Sequence, residues 1–370
     1  SFDGEPVQSN ALKATVLATA CNIAWIAADL NNLQQDASQV VSLSHDARSP
    51  ERAGLGHSHL GKAAYHQDDL SAAEEYFSFV NQHPYRNYGD SFAVSACGMA
   101  LTYQAQGMEQ EARDVIDAAQ AFLIMTGNTQ LLFEINAFQA ELALRQGRVS
   151  IASQWAERMD PVPPLSPMTR IYAPHMTLVK VWLAANTPSS RRKAASLLDR
   201  LREFLESTHN RIFLIETMAL QAILYQLEGN ERAALAMLEE ALVLALPSGI
   251  IRLFVDLGPV MINLLVELPV KEPEVAAFKE RILAATSQLR GQQHPVAQDD
   301  NGSQSYIEPL TDRELDVLLL LSQRQTDREI ANKLHISHHT VRSHTKNIYA
   351  KLGVNNRRKA ATRAEELDLI

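Results

Sequence analysis

The sequence is poor in the residues that build cross-linked or metal-clustered folds. Only two of its 370 residues are cysteines, Cys21 and Cys97, which excludes a disulfide framework and a cysteine-based zinc cluster. Both lie in apolar helical surroundings, so buried free thiols in a cytoplasmic protein are expected. No run approaches the ~20 unbroken apolar residues of a membrane span. We therefore expect no membrane association.

Motifs for catalysis and metal binding are equally scarce. The twelve histidines contain no H-E-x-x-H pair, and no G-x-S-x-G or Cys/His arrangement indicates a nucleophile. Residues 56–62 match the first seven positions of a phosphate-binding loop, but the eighth, which must supply a hydroxyl to magnesium, is Ala63. We interpret Gly56 and Gly61 as small packing positions on a helix and Lys62 as a solvated side chain. No enzyme, cofactor or metal site is therefore expected; the rival, an ATP-binding enzyme, predicts that Lys62→Ala abolishes ATP binding.

Residues 1–290 have a helical pattern almost throughout, with apolar residues three and four apart and no alternating run long enough for a sheet. A helix, a turn and a second helix rich in small residues recur around Asp69, Gly107, Gly147 and Gly229. The first three are 38 and 40 residues apart, and Gly229 lies 82 further on. The intervening unit is assigned to residues 181–198, with a turn at 186–188. This arrangement predicts a tetratricopeptide-like solenoid of long period, against the alternative of an irregular helical domain.

Several segments interrupt this pattern. The Pro-rich residues 160–167 are expected to form an exposed loop. Residues 83–88, HPYRNY, combine aromatic, Arg and Asn side chains beside a turn, which fits either a ligand-lining loop or a solvated connection. Residues 291–308 are polar and nearly devoid of large apolar side chains, so they predict a flexible linker. The beginning, SFDG, is neither a signal peptide nor an initiator methionine, which favours a piece of a longer protein.

The last part of the chain, residues 309–370, contains two copies of Thr-Asp-Arg-Glu, beginning at Thr311 and Thr326. Each copy fits a capping box, in which Thr accepts from the N3 amide and Glu accepts from the N-cap amide. A third helix start is predicted at Ser337. Three short helices with a tight turn before the third predict a helix-turn-helix DNA-binding domain, against the alternative of a small bundle with a solvated basic face.

The third helix has two distinct faces. Val341, Thr345, Ile348 and Leu352 recur at helical spacing and are expected to pack inward, with Thr345 the weakest member. A polar and basic stripe has the same spacing and suits the major groove, where Arg and Lys donate to guanine. Its members are His339, Arg342, Ser343 and Lys346. Thr326 and Ser337 begin helices, whose free amides suit phosphate oxygens.

Charge is distributed unevenly. The whole chain has 34 Lys and Arg against 43 Asp and Glu. Residues 310–370 hold 11 and 8 of these, a net charge of +3, so the preceding residues, with 23 and 35, carry −12. The acidic body should repel DNA, which leaves the terminal domain as the DNA-binding part.

Residues 310–370 resemble the DNA-binding domain of LuxR-type transcriptional regulators. The pattern L-T-x-R-E, E-I-A-x-x-L, I-S-x-x-T-V-R-x-H and N-I-Y-x-K-L-G-V stands here at 310–314, 329–334, 336–344 and 347–354. The resemblance places the helix-turn-helix at 327–346 and base contacts on Arg342, Ser343 and Lys346, and it implies phosphate contacts at Thr340 and flanking residues. Lys351 is a further candidate for a phosphate contact. It implies a dimer contact on the last helix, at Ala360, Ala361 and Ala364. One departure is Arg324-Gln325, where the family has Gly and an apolar residue, so the first helix lacks its left-handed terminator.

Residues 233–265 resemble the end of the helical-repeat domain in the large ATP-dependent regulators of the MalT-like family; Pro247-Ser248-Gly249 and Gly258-Pro259 carry this likeness. In that family an ATPase module comes first, then a repeat domain that senses a small inducer, then the DNA reader. Any ATPase module would lie before residue 1. The resemblance implies an activator, with double-stranded DNA, a small-molecule inducer, a second copy of the chain and RNA polymerase as partners, although the residues alone leave activation or repression open.

We therefore predict an all-α regulator with three parts: a repeat domain at 1–290, a linker at 291–308 and a reader at 309–370. The hypothesis is that an effector on the concave helical surface controls self-association. The alternative is that the repeats dock a protein partner.

Overall fold

The computed structural model describes most of the chain in two compact units, residues 1–295 and 296–370. The described residues are 4–46, 49–84, 89–162, 168–292, 312–323, 325–334 and positions 341, 345, 348, 357 and 359. These residues form helices and short connections, without a strand, which confirms the all-α prediction. Among the described helices, none has both the length and the apolar composition needed to cross a bilayer.

The first unit contains fifteen α-helices within its described residues, twelve of which pair into antiparallel hairpins. The pairs are α1 (Gly4–Ile26) and α2 (Leu30–Asp46), α3 (Pro50–His66) and α4 (Leu70–Asn81), α5 (Asp90–Ala105) and α6 (Glu109–Thr126), α7 (Thr129–Arg145) and α8 (Val149–Ala156), α9 (Pro174–Ala185) and α10 (Pro188–Ser207), and α11 (Arg211–Leu227) and α12 (Glu231–Ala245). A 3-10 turn (Leu246–Ser248), α13 (Arg252–Val255), α14 (Pro259–Glu267) and α15 (Pro273–Gln292) follow. α15 therefore extends two residues into the segment predicted as a linker, and the rest of that segment lies outside the described residues.

Turns between paired helices lie where the repeat predicted them, and they use a left-handed backbone. Gly107, Gly147 and Gly229 have φ values of 80°, 70° and 76°, which glycine adopts without steric cost. Asn186 takes this conformation in the turn between α9 and α10, and Thr187 caps α10. Between α3 and α4 the left-handed residue is Asp68; Asp69 is instead the N-cap of α4 and accepts from the Ala72 amide at 3.0 Å.

The first helix of each pair forms an inner layer. Each contacts the first helix of the next pair, from α1 through α3, α5, α7 and α9 to α11. The layer curves so far that α11 also contacts α1, and α13 contacts both α3 and α11. The solenoid prediction is confirmed, but the inner side is partly filled by the chain itself.

Residues 246–257, called the return segment below, run from the end of α12 back to the first repeats. The Ile251 amide donates to the His66 carbonyl at 2.7 Å, and the Ser248 hydroxyl donates to the Ala28 carbonyl. Gln67 donates its side-chain amide to the Ser248 carbonyl at 3.1 Å. These bonds tie the last repeat to the turns of the first two, a closure that local sequence patterns do not predict.

The glycines of the phosphate-loop-like segment serve packing. A Cβ on Gly61 would lie 2.5 Å from Phe77 Cε1, and one on Gly56 would lie 2.7 Å from Val41 Cγ2. Phe77 is fully buried, and its ring also lies against Gly98. The packing role predicted for Gly56 and Gly61 is confirmed.

Candidate DNA interface and inner pocket

The second capping box is present at the start of α17 (Asp327–Leu334). The Thr326 amide donates to Glu329 Oε2 at 2.7 Å, and the Glu329 amide donates to Thr326 Oγ1 at 3.4 Å. These hydrogen bonds from Thr326 lower the pKa of Glu329, which keeps the carboxylate charged at the positive end of the helix. The predicted start of this helix is confirmed. Thr311, the first residue of the other box, lies outside the described residues.

The core of the terminal domain contains the apolar face predicted for the third helix. Val341 and Ile348 are fully buried with residues of α16 (Asp312–Ser322) and α17. Thr345 is half-buried, and its hydroxyl donates to the Val341 carbonyl at 2.9 Å. The inward face is confirmed at these three positions, whereas Leu352 lies outside the described residues.

Arg357 binds one carbonyl in the last turn of α16 and one in the connection that follows it. Its Nε donates to the Leu321 carbonyl at 3.2 Å, and its Nη2 donates to the Gln325 carbonyl. The last carbonyls of a helix have no partner within the helix and need one from elsewhere. A side chain thus binds carbonyls where the sequence lacks the usual glycine. Sequence reasoning missed this role because the partners are more than thirty residues apart.

Of the predicted DNA-binding residues, the structure describes Thr326, which is exposed at the start of α17. The others lie outside the described residues: Ser337, His339, Thr340, Arg342, Ser343, Lys346 and Lys351. The predicted dimer residues Ala360, Ala361 and Ala364 also lie outside them.

A chain of alternating charges crosses the inner layer of the repeat domain, and we call it the ion-pair chain. Its members, in order, are Glu216, Lys180, Glu141, Arg145, Asp256, Arg252 and Asp68. Successive charged atoms are between 2.5 and 3.2 Å apart. The chain joins α11, α9 and α7 to the return segment and to the turn after α3. It therefore connects helices that are distant in the sequence.

Burial makes the ion-pair chain electrostatically strong. Burial alone would raise the pKa of Glu141, but Lys180 and Arg145 outweigh it and lower that pKa to about 2. Asp256 is likewise held well below its usual range, because Arg252 and Arg145 outweigh its burial. Additional hydrogen bonds come from the Thr177 hydroxyl to Glu141 at 2.7 Å and the Tyr65 hydroxyl to Asp256 at 2.5 Å. Both carboxylates are therefore charged at neutral pH.

An inner pocket of about 490 Å³ opens beside the ion-pair chain. One end presents Glu141, Arg145, Lys180 and Asp256. Its other walls come from α7, α9, α11 and residues 257–260, and they carry mainly aliphatic side chains. A pocket of this size on the inner side of a solenoid suits a small molecule.

Lys62, predicted to be solvated, is buried with only 2% of its surface exposed. Its Nζ donates to the Thr169 carbonyl at 3.1 Å and lies 4.4 Å from the centre of the Trp25 ring. Burial without a carboxylate partner lowers the pKa of Lys62 to about 7. The solvation prediction was wrong because the first repeats and residues 168–170 cover this side of α3. The segment is a continuous helix, so it lacks the loop of free amides that binds phosphate.

The cysteines, possible metal ligands and the aromatic segment 83–88 were the other candidate sites. Cys21 and Cys97 are free and buried, as predicted. Within the described residues, no cluster of three His, Cys, Asp or Glu side chains could hold a metal ion. In the aromatic segment 83–88 the structure describes His83 and Pro84, and the remainder lies outside.

Two family models match the chain in the order that the sequence predicted. Residues 90–271 match the model described as the MalT-like TPR region. Residues 308–364 match the model of bacterial regulatory proteins of the luxR family. The first match covers α5 to α14, including the inner pocket, and the second contains the capped helix α17.

Curated relatives match about half of the chain. The HTH-type transcriptional regulator MalT of Klebsiella pneumoniae subsp. pneumoniae is 31% identical over 189 residues, 47% of this chain and 21% of the relative. MalT of Vibrio campbellii is 26% identical over 184 residues, 45% of this chain and 20% of the relative. MalT of Vibrio parahaemolyticus is 27% identical over 183 residues, which are 44% of this chain and 20% of the relative. The matched part thus spans about a fifth of these regulators.

Proposed function

Because this chain belongs to the MalT-like regulators of the luxR family, we propose that its repeat domain senses an effector and thereby controls how its DNA-binding domains assemble on paired half-sites. The coarser function, DNA-binding regulation of transcription, follows from the terminal domain itself. The luxR-type domain is not enzymatic, and we assign no catalytic step and no cofactor to this chain. We place its action in the cytoplasm, where bacterial DNA is accessible.

The capped and packed terminal domain is the observation that carries the proposal. Val341 and Ile348 are buried seven positions apart, which is two turns of one helix face. In the register of the sequence, Arg342, Ser343 and Lys346 fall on other positions of that helix. We assign base contacts to these three residues, and phosphate contacts to Thr326, Ser337, Thr340 and Lys351, with His339 beside them.

Self-association is the second element of the proposal. One reader carries a net charge of only +3, so a single copy is expected to bind DNA weakly. Two linked readers gain effective concentration on paired half-sites, and we assign the reader contact to Ala360, Ala361 and Ala364. RNA polymerase is a further proposed partner for an activator. An oligomeric state and a DNA affinity that stay unchanged across candidate effectors would contradict this element.

A protein partner instead of a small molecule is the second candidate, because solenoids commonly bind polypeptides on their inner surface. The size of the inner pocket, about 490 Å³, favours the small molecule. A compound that raises the melting temperature of the full chain supports sensing, whereas a partner protein that co-purifies at fixed stoichiometry supports docking.

Two single substitutions separate base contacts from phosphate contacts. Arg342→Ala should cost roughly 1–3 kcal/mol of binding and relax the preference for one base position, because a bidentate guanine contact is lost. Lys351→Ala should weaken binding evenly across sequences and reduce the salt dependence by about one ion. Fluorescence anisotropy with matched and mismatched duplexes at several salt concentrations measures both. A base-selective loss for Lys351→Ala, or an even loss for Arg342→Ala, contradicts the assignments.

A further inference from the structure

We propose that the inner pocket binds a zwitterionic aliphatic compound, an aliphatic amino acid or a short aliphatic peptide. The proposal rests on the sensing role given above and specifies the chemical class of the effector. It depends on two properties of the pocket: the composition of its walls and the pairing of the charges at its end.

The walls select for an aliphatic body. They contain no aromatic side chain among the described residues that line the pocket, so they offer no stacking surface for a sugar ring or a nucleobase. Branched aliphatic groups come from three inner helices and from the start of α14. The lining aliphatic residues are Leu144, Leu183, Ala184, Leu220, Ile223, Leu227, Leu257 and Val260.

The charged end selects for a head group that carries both signs. Glu141 and Asp256 each contact basic partners in the ion-pair chain, and Arg145 lies between them. A ligand with a single charge would have to break one of these pairs and leave a buried charge without a partner, which is costly. A zwitterion supplies one charge for each half of a broken pair. Its carboxylate would face Lys180 or Arg145, and its ammonium would face Asp256 or Glu141.

The position of the pocket would also let a bound ligand act on the return segment and on α14. Asp256 lies next to the last residue of the return segment, and Gly258, the N-cap of α14, forms one wall together with Pro259 and Val260 at the start of that helix. A ligand that contacts Asp256 and Val260 therefore bears on the segment that leads through α14 into α15. Because Asp256 also holds the return segment to Arg145 and Tyr65, occupancy of the pocket would shift the balance of those bonds.

The test uses the full chain and thermal unfolding with L-leucyl-L-leucine and L-leucine as probes. At concentrations well above Kd, at least one should raise the melting temperature in a saturable way, because a ligand that binds only the folded state stabilises it. Three analogues control for the head group: isocaproate carries only the anion, isoamylamine only the cation, and N-acetyl-L-leucine amide neither. Each analogue should bind at least about tenfold more weakly than the zwitterionic probe that stabilises the protein.

Two neighbouring substitutions locate the site. Ala184 and Ala185 are both exposed on α9, but Ala184 lines the inner pocket and Ala185 lines a different groove. Ala184→Trp should fill the pocket and abolish the stabilisation, whereas Ala185→Trp should leave it unchanged.

Three outcomes overturn the proposal: no stabilisation by either probe, equal stabilisation by a singly charged analogue, or equal loss in both tryptophan variants. Each outcome is independent of DNA. The measurement can therefore fail while the chain still selects operator sequences, and it can succeed while DNA selection fails, so it is separable from the proposed function.

Discussion

Replacement of Asp256 by asparagine should lower the free energy of unfolding of the repeat domain by about 3–5 kcal/mol, because it removes one partner from a buried network. Arg145 and Arg252 both contact this carboxylate, at 2.9 and 2.5 Å, and Arg252 is only 3% exposed. The substitution leaves the shape nearly unchanged but leaves two guanidinium groups with less negative charge beside them. The loss therefore reports the electrostatic role of Asp256 rather than its packing.

Urea unfolding of the full chain measures this loss, with Glu206→Gln as the control. Glu206 also pairs with an arginine on its own helix, Arg202 at 2.9 Å, but the pair is largely exposed. Exposed pairs contribute about 0–1 kcal/mol, so the control should stay close to the wild type. Equal effects of the two substitutions would mean that the ion-pair chain does not hold the fold together.

Asp256→Asn should also change the pH dependence of the free energy of unfolding. The pKa of Asp256 lies well below its usual range in the folded protein, so its contribution is present at neutral pH and above the ordinary carboxylate pKa of about 4. It is lost as the pH falls from there toward the folded value, because protonation removes the charge that the arginines bind. Asp256→Asn should flatten the stability curve below about pH 4.

Lys62→Met should stabilise the protein by roughly 2–4 kcal/mol at pH 7, because burial has lowered the pKa of this amine from 10.5 to about 7. Met has a similar length and needs no charge inside an apolar site. The lost hydrogen bond to the Thr169 carbonyl offsets part of the gain. The effect has the opposite sign to that expected for a lysine that binds a phosphate.

The pH dependence gives this prediction a second readout. Between about pH 7 and 10.5 the unfolded lysine keeps its proton while the folded one has lost it, so the stability of the wild type rises with pH through this window. Lys62→Met should remove that slope. Measurement between about pH 7 and 8 stays below the ordinary cysteine pKa of about 8.5, so most thiols of the unfolded chain keep their protons.

Lys193→Met is the matched control. Lys193 also lies over a tryptophan, 5.9 Å from the Trp182 ring centre, but its side chain is exposed. The control should change neither the stability at pH 7 by more than about 0.5 kcal/mol nor the slope. A destabilised Lys62→Met protein with an unchanged slope would show that the amine is charged and well solvated in the fold.

Local patterns predicted the parts of the structure that local forces determine. The turns at Gly107, Gly147 and Gly229 need a left-handed backbone, and glycine provides it. The capping box of Thr326 and Glu329 joins residues three positions apart. The buried pair Val341 and Ile348 follows helical spacing. Each of these features depends on residues within two helical turns of one another.

The features that the sequence did not predict depend on contacts between distant residues. Lysine is usually a surface residue. The burial of Lys62 follows from the packing of Trp25 and Thr169 around it. The ion-pair chain joins Asp68 to Arg252, 184 residues apart. No periodicity indicates such a pairing, because the curvature of the solenoid brings the two ends together.

Selection of bound sequences from random duplex DNA with this chain tests the central claim most directly, with Arg342→Ala/Lys346→Ala as the control. The expected result is an enriched pair of half-sites at fixed spacing, which the double variant loses because its base contacts are gone. An artificially dimerised segment of residues 310–370, selected in parallel, should enrich the same half-site. If neither protein enriches a sequence, or if the double variant enriches the same one, the assignment of DNA reading to this helix is contradicted.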